Sequence, residues 1–198
     1  MEAALPPPDS GNGNAPETER TTIMTKTLVL VFHPDLNGQS RANKALAAAA
    51  AAAELPDITV RDEYAIYPNG VIDVAAEQQL VEEHDRIVLQ FPLYWYSSPA
   101  LLKEWEDKVL AYGWAYGPDG EALNGKEIMV ATTAGGDTGE YQTENGGATM
   151  DEVLSPYRMM ARYTHAVWRK PFVVFNAMEL DDNALADVAR HYRDALLA

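Results

Sequence analysis

Cysteine is absent from the 198 residues. That absence removes disulfides, thiolate metal ligands and a cysteine nucleophile together, and it fits a cytoplasmic protein. Cations are scarce as well: 15 Lys and Arg stand against 30 Asp and Glu, a net charge of −15. Nucleic acid and anionic membrane surfaces repel such a chain, so neither is expected as a partner. No apolar run approaches the roughly 20 residues of a membrane helix, and the N-terminus lacks the basic-then-apolar pattern of a secretion signal. No Gly-x-Gly-x-x-Gly follows the first strand-like run, which weighs against a Rossmann dinucleotide site. A nucleophile elbow has no Gly-x-Ser-x-Gly to build on. His84, His165 and His191 show no metal-ligand spacing with one another, so no metal is expected.

What is present begins beyond residue 24. Residues 1–24 hold Pro6-Pro7-Pro8, Gly11-Asn12-Gly13-Asn14 and scattered acids. They bury too little apolar surface to offset ordering entropy and are expected to be a disordered tail, with Met24 an alternative start. Residues 25–198 are expected to form one α/β domain. Thr27 to Phe32 is a continuous apolar run, the mark of a strand covered on both faces. A helix is expected from Ser40 through the alanine run to about Ala53, then a strand over Ile58–Arg61 and a helix over Asp73–Glu83. Arg86–Phe91 is the third strand, followed by a helix from Pro99 to Tyr112 with Leu101, Leu102, Trp105 and Val109 on one face. Glu127–Thr132 is the fourth strand, Met150–Tyr163 the fourth helix, Pro171–Asn176 the fifth strand, and a last helix starts near Asp181. Five strands alternating with five helices predict right-handed βαβ units and a parallel sheet.

Ligands of open α/β sheets bind at the carboxyl ends of the strands, where strand order reverses. The ligand-like loops follow strands one, three and four. In the order 2-1-3-4-5 those strands are neighbours, whereas the order 3-2-1-4-5-6 separates one from three. The first loop, His33 to Ser40, ends at a helix N-terminus, an anion site by its free amides and dipole. Ser40 adds a hydroxyl, Arg41 or His33 a positive charge, and Asn43 an amide. Alternatively, Ser40 is a plain N-cap and His33 a hydrogen-bonded loop residue. The second loop, Pro92 to Pro99, offers three consecutive aromatics between prolines, a stiff frame for a planar heteroaromatic ligand such as a flavin. The alternative is an aromatic cluster in the core or at a dimer interface. In the third loop, Thr132-Thr133-Ala134-Gly135-Gly136-Asp137, small residues let backbone approach a ring closely, unless it is a flexible surface turn. Gly120 to Lys126 has Walker-loop spacing. Glu127 stands where Ser or Thr is needed, however, and the stretch precedes a strand, so it reads as a turn.

Several blocks together resemble the flavodoxin-like NAD(P)H:quinone oxidoreductases, especially the short bacterial branch containing the ancillary oxidoreductases of glutathione-gated potassium efflux. They are His33-Pro34, Ser40-x-x-Asn43, Tyr67-Pro68, Ala75-Ala76-Glu77-Gln78 and Pro92-x-x-Trp95-Tyr96-Ser97-x-Pro99-x-Leu101-Leu102-Lys103. Gly113-Trp114-Ala115-Tyr116-Gly117, Thr132-Thr133, Pro171-Phe172 and Ala189-Arg190-His191-Tyr192 complete the set. The likeness runs from about Thr27 to Leu197. It implies a three-layer flavodoxin-like fold, a five-stranded parallel sheet of order 2-1-3-4-5 with helices on both faces. It also implies a homodimer, bound FMN with FAD as the alternative, and NAD(P)H as co-substrate. The implied reaction is two-electron hydride transfer through flavin N5 to quinones in alternating half-reactions.

Carried over by position, the flavin phosphate falls to His33, Ser40, Arg41, Ala42 and Asn43. The ring falls to Pro92, Leu93, Tyr94 and Trp95, and to Thr132, Thr133, Ala134 and Gly135. Trp95 and Tyr141 are the expected catalytic residues. Tyr141 stands near a tyrosine with which the animal enzymes manage charge on the reduced flavin, while Gly146-Gly147 occupies the region of their histidine. Ala134 replaces a common glycine, which requires a negative φ there. Two other roles stay open: a redox-sensing subunit in peripheral contact with a membrane potassium-efflux transporter, and a flavodoxin-type electron carrier.

Overall fold

Strand β1 (Thr27–Val31) has no water on either face, and the reason lies in the two-residue period of a strand. Leu28 and Leu30 enter one apolar core, Val29 and Val31 the other. The computed structural model describes residues 25–38, 40–52 and 57–198; the expected tail, residues 1–24, lies outside them. After β1 come α1 (Arg41–Ala50), β2 (Ile58–Asp62), α2 (Glu63–Ile66), α3 (Val74–Glu82), β3 (Arg86–Pro92) and α4 (Ala100–Val109). The second half holds β4 (Glu127–Thr133), α5 (Met150–Val153), α6 (Ser155–Tyr163), β5 (Val167–Trp168), β6 (Phe172–Val174) and α7 (Asp182–Leu197).

All strand pairs are parallel and the order is β2-β1-β3-β4-β5, with β6 also beside β4. This is the expected flavodoxin-like order. Leu28, Leu30, Phe32, Ile87, Leu89, Phe91, Ile128 and Val130 pack with Val81 of α3, Leu102 and Trp105 of α4 and Ala161 of α6. On the opposite face Val29, Val31, Val88, Met129 and Ala131 meet Leu46 and Ala50 of α1 and Tyr192 and Leu196 of α7. The three layers follow from that division.

Three details depart from the sequence expectation. The fifth strand position is filled by two short segments, β5 against Glu127–Ile128 and β6 against Ala131–Thr133. Between them lies Pro171, which has no N–H to give a ladder. The fourth helix breaks at Leu154 into α5 and α6, because Pro156 in the first turn of α6 removes an N–H and crowds the carbonyl one turn back. Finally α2, unseen in the sequence, forms where Asp62 caps it by accepting from the Ala65 amide.

Helix α2 also carries Glu63 into the interior beside Glu77, both with fully buried side chains. Arg61 donates to each, Nε to Glu63 Oε1 at 3.0 Å and Nη2 to Glu77 Oε1 at 2.6 Å. Glu77 further accepts from Tyr67 Oη at 2.7 Å and Trp105 Nε1 at 2.9 Å. Glu63 Oε2 has no partner among the described residues. One guanidinium cannot neutralise two buried carboxylates, so the carboxyl with fewer donors keeps a proton. Desolvation, then the charge of Glu77, pushes the Glu63 pKa from 4.5 up to about 7. The folded protein therefore binds this proton more tightly than the unfolded chain. Its contribution to stability is complete below about pH 4.5 and is lost as pH rises through about 7. Glu63→Gln, neutral at every pH, should match wild type in thermal melting at pH 5 and exceed it at pH 8, by about 2–3 kcal/mol. A constant difference across that range would show that Glu63 is ionised throughout.

Candidate active site at the carboxyl end of the sheet

Strands β1, β3 and β4 end side by side, and hydrogen bonds join the loops that follow them. The Phe32 amide donates to Gln90 O at 2.8 Å, and the Leu93 amide to Thr133 O at 2.8 Å. Asn43 Nδ2 donates to Thr133 Oγ1 at 2.9 Å, linking the first turn of α1 to the end of β4. The segments carrying Ser40, Trp95 and Thr133 thus meet at one edge of the sheet.

At the phosphate-like end, Ser40 occupies the N-cap position of α1 but its side chain makes no cap bond, and the first turn holds no acid. Among the described residues nothing pairs with the hydroxyl or the first-turn amides, an arrangement suited to an anion. The plain-cap alternative for Ser40 therefore has no bond behind it. His33 Nδ1 accepts from the Asp35 amide at 3.0 Å. Burial lowers the His33 pKa, outweighing the nearby Asp35 and Asp62 charges, so its imidazole is neutral at pH 7. Arg41 is spent elsewhere, on Leu180 O at 2.7 Å and Asp182 at 2.6 Å. Ala42 and Asn43 are buried, and the Asn43 amide is turned to Thr133. The end is consequently a cradle of helix amides more than a cluster of cations.

The aromatic loop is a tight turn closed at both ends, Tyr94 N to Ser97 O at 2.9 Å and Ser97 N to Tyr94 O at 3.0 Å. Its central residues Trp95 and Tyr96 have φ of 51° and 59°, the left-handed pair of a type I′ turn that usually holds Asn-Gly. Two L-aromatics there cost about 1–2 kcal/mol each. Nor are they core: Tyr94, Trp95 and Tyr96 are 43%, 95% and 66% exposed. The Leu93 and Tyr94 amides are already paired, whereas those of Trp95 and Tyr96 have no partner among the described residues. Pro92 is buried at the end of β3 and Leu93 is half-buried.

The third loop is clamped from the far side. Thr132 Oγ1 donates to Phe91 O at 2.9 Å. The Ala134 amide donates to Val174 O at 2.8 Å, and Ala134 O accepts from the Ala177 amide at 3.0 Å. Ala134 is not among the residues with positive φ, so its methyl is accommodated. Gly135 is exposed, and a Cβ there would meet nothing closer than Met178 Cε at 3.5 Å. Tyr141 sits beside the aromatic turn, its ring 6.4 Å from Tyr96 and 5.4 Å from Phe175. Desolvation raises its pKa and keeps the phenol protonated. Sequence reading placed Tyr96 in the aromatic loop without a role of its own, and missed Phe175, Gln90 and Tyr192 as parts of this region. Gln90 had a local signal, as the one polar residue within Ile87-Val88-Leu89-Gln90-Phe91.

A family model described as Flavodoxin-like fold matches residues 25–196. The chain belongs to that family. Over 176 residues this flavodoxin-like protein is 43% identical to YrkL of Bacillus subtilis, an uncharacterized NAD(P)H oxidoreductase, covering 87% of this chain and 98% of the relative. It is 43% identical over 172 residues to KefF of Salmonella arizonae, a glutathione-regulated potassium-efflux system ancillary protein, covering 86% and 95%. Among solved structures, general stress protein 14 of Treponema denticola in complex with FMN superposes with a TM-score of 0.80 at 42% identity, over 86% of this chain and 99% of that one. An NADPH-quinone reductase from P. pentosaceus gives 0.76 at 29% identity, over 85% and 96%.

The left-handed turn makes its own prediction. Asn tolerates positive φ far better than Trp, and the Trp95 side chain packs against little. Cofactor-free Trp95→Asn should melt about 2–4 °C above wild type in calorimetry. A lower midpoint would show that Trp95 stabilises the fold.

Proposed function

We infer that this chain is an FMN-dependent NAD(P)H:quinone oxidoreductase. The observation that carries the reading is the convergence of an uncapped helix N-terminus, an exposed strained aromatic turn and an open glycine backbone at one end of the sheet. FMN presents a dianionic phosphate and a planar ring joined by a ribityl chain that limits the distance between them, and the site offers a matching donor set for each. The Ser40 hydroxyl and the first-turn amides of α1 hold the phosphate, favoured by the helix dipole. Tyr94 and Trp95 supply flat apolar surface, and the tip amides of Trp95 and Tyr96 supply in-plane donors. Thr132, Thr133 and Ala134 form a rigid wall, clamped by β6, beside which Gly135 leaves room for backbone to approach the ring. Bound FMN supplies hydride acceptance from NAD(P)H and hydride delivery to a quinone. Tyr141 stays a neutral phenol able to donate a hydrogen bond at the rim. Its catalytic role, like that of Trp95, is part of this proposal.

The FMN held by the treponemal relative and the names of YrkL and the P. pentosaceus reductase support the cofactor and both substrates. A cytoplasmic setting belongs to the same proposal, on the cysteine-free, acidic composition. So does a homodimer. Tyr112, Tyr163 and Met159 are exposed, and Tyr116 bridges the two tyrosines at 5.7 and 5.4 Å, an aromatic patch suited to a second copy. The likeness to KefF favours a second role in contact with a potassium-efflux transporter, added to catalysis at this site.

The purified protein should show flavin bands, release FMN on denaturation and oxidise NADH or NADPH with a simple quinone. Gly135→Ala tests the site itself, because a Cβ there meets nothing closer than Met178 Cε at 3.5 Å and the φ is not positive. Its melting should match wild type while FMN binds about tenfold or more weakly in fluorescence titration. Unchanged affinity would remove the third loop from the site.

A further inference from the structure

Two buried side-chain oxygens lack a partner among the described residues. One is Glu63 Oε2, on the carboxyl whose ionised form burial and the Glu77 charge disfavour. The other is Asn43 Oδ1. A bare amide oxygen in the interior costs stability, and an apolar residue of similar shape would avoid that cost. Asn43 is therefore best explained by what its other polar atoms do.

Its Nδ2 donates to Thr133 Oγ1 at 2.9 Å, and its backbone oxygen accepts from Gln90 Nε2 at 3.0 Å. Gln90 Oε1 in turn accepts from Tyr192 Oη at 3.2 Å. All four side chains are at least 95% buried. The chain of bonds crosses α7, β3, α1 and β4. Within it lies the first turn of α1, which presents amides to the phosphate, while Tyr192 of α7 closes the end away from Thr133. At the other lies Thr133, whose carbonyl receives the Leu93 amide and whose neighbour Ala134 opens the ring loop. Asn43 thus joins the two halves of the cleft by its side chain and is held from beneath by its backbone.

We propose that Asn43, buttressed by Gln90 and Tyr192, is a positioning residue that fixes the distance between the phosphate end and the ring end of the FMN cleft. This rests on the flavin reading of the site. It replaces the direct phosphate contact that the sequence pattern assigned to Asn43. A ligand anchored at two ends gains from the second only if both are held at its own span; when that span fluctuates, the effective concentration of the second contact falls. Riboflavin, with the ring and no phosphate, engages one end and is insensitive to the span.

The test uses Gln90→Leu and Tyr192→Phe, both beneath the cleft, with FMN and riboflavin titrated by fluorescence into cofactor-stripped full-length protein well below its melting midpoint. Gln90→Leu should weaken FMN about tenfold and Tyr192→Phe about threefold, with riboflavin affinity unchanged in both. Equal weakening of both flavins, or melting shifts with neither affinity changed, would reduce the network to a structural role and overturn the proposal. An Asn43→Leu variant that loses FMN while the other two bind it like wild type would restore the direct phosphate contact and likewise overturn it. Wild type that binds neither flavin would overturn the flavin reading, and this proposal with it. Wild type that binds FMN beside unaffected variants overturns the positioning role alone.

Discussion

The central strands β1, β3 and β4 have apolar cores on both faces, and that constraint decides where chemistry can occur. Their backbone polar groups are consumed by the ladders, and a polar side chain along their length must bring its partners with it. Gln90 and Arg86 do so. Gln90 is bonded to α1 and α7; Arg86 donates to Glu127 at 2.5 Å and to Leu196 O at 2.6 Å. Unpaired groups are left to the strand ends. Because crossovers are right-handed, α1 leads from β1 to β2 on one face and α3 leads on to β3 on the other. The order in which strands are added reverses between β1 and β3, and the carboxyl edge opens there.

The charge distribution around that opening runs against simple expectation. Simple electrostatics would give an acidic chain that binds an anion a cluster of cations, yet Arg41 is committed to α7 and burial leaves His33 neutral. What is left is the uncapped start of α1. Amide dipoles in a fixed helix do not titrate and need no reorganisation when an anion arrives. Arg41 instead fastens the start of α1 to the start of α7, so it serves the cradle by holding it in place.

How much of this was readable in the sequence depended on the range of each interaction. The runs Thr27–Phe32 and Ile87–Leu89 announced buried parallel strands, because two-sided burial leaves a continuous local pattern. The loops after strands one, three and four stood out by composition, and their convergence followed from the sheet order alone. The alanine run beyond Ala50 carried helix propensity past the last buried turn of α1, since propensity does not know where packing stops. The split of the edge strand at Pro171 was in principle visible; the left-handed turn at Trp95 and Tyr96 was not, because those residues are among the least expected there. The Asn43 network had no local signature at all, its partners lying 47, 90 and 102 residues apart.

The two ends of the cleft are built on opposite physical terms. The phosphate end rests on buried hydrogen bonds with little freedom to move. The ring end is a strained, exposed turn held by the Tyr94–Ser97 pair, the bond from Leu93 to Thr133, and ring contacts through Tyr96, Tyr141 and Phe175. Such a turn persists only while its surroundings over-determine it, and it presents side chains that the core does not claim. On the proposed reading, an enzyme that receives a nicotinamide and then a quinone at one ring needs the span between phosphate and ring held and the turn over the ring left open. A closed mould would suit one substrate and exclude the other. Anchoring by the phosphate and the Asn43 network would fix the ring's position, and the exposed aromatics of the turn leave its face open to either partner in turn.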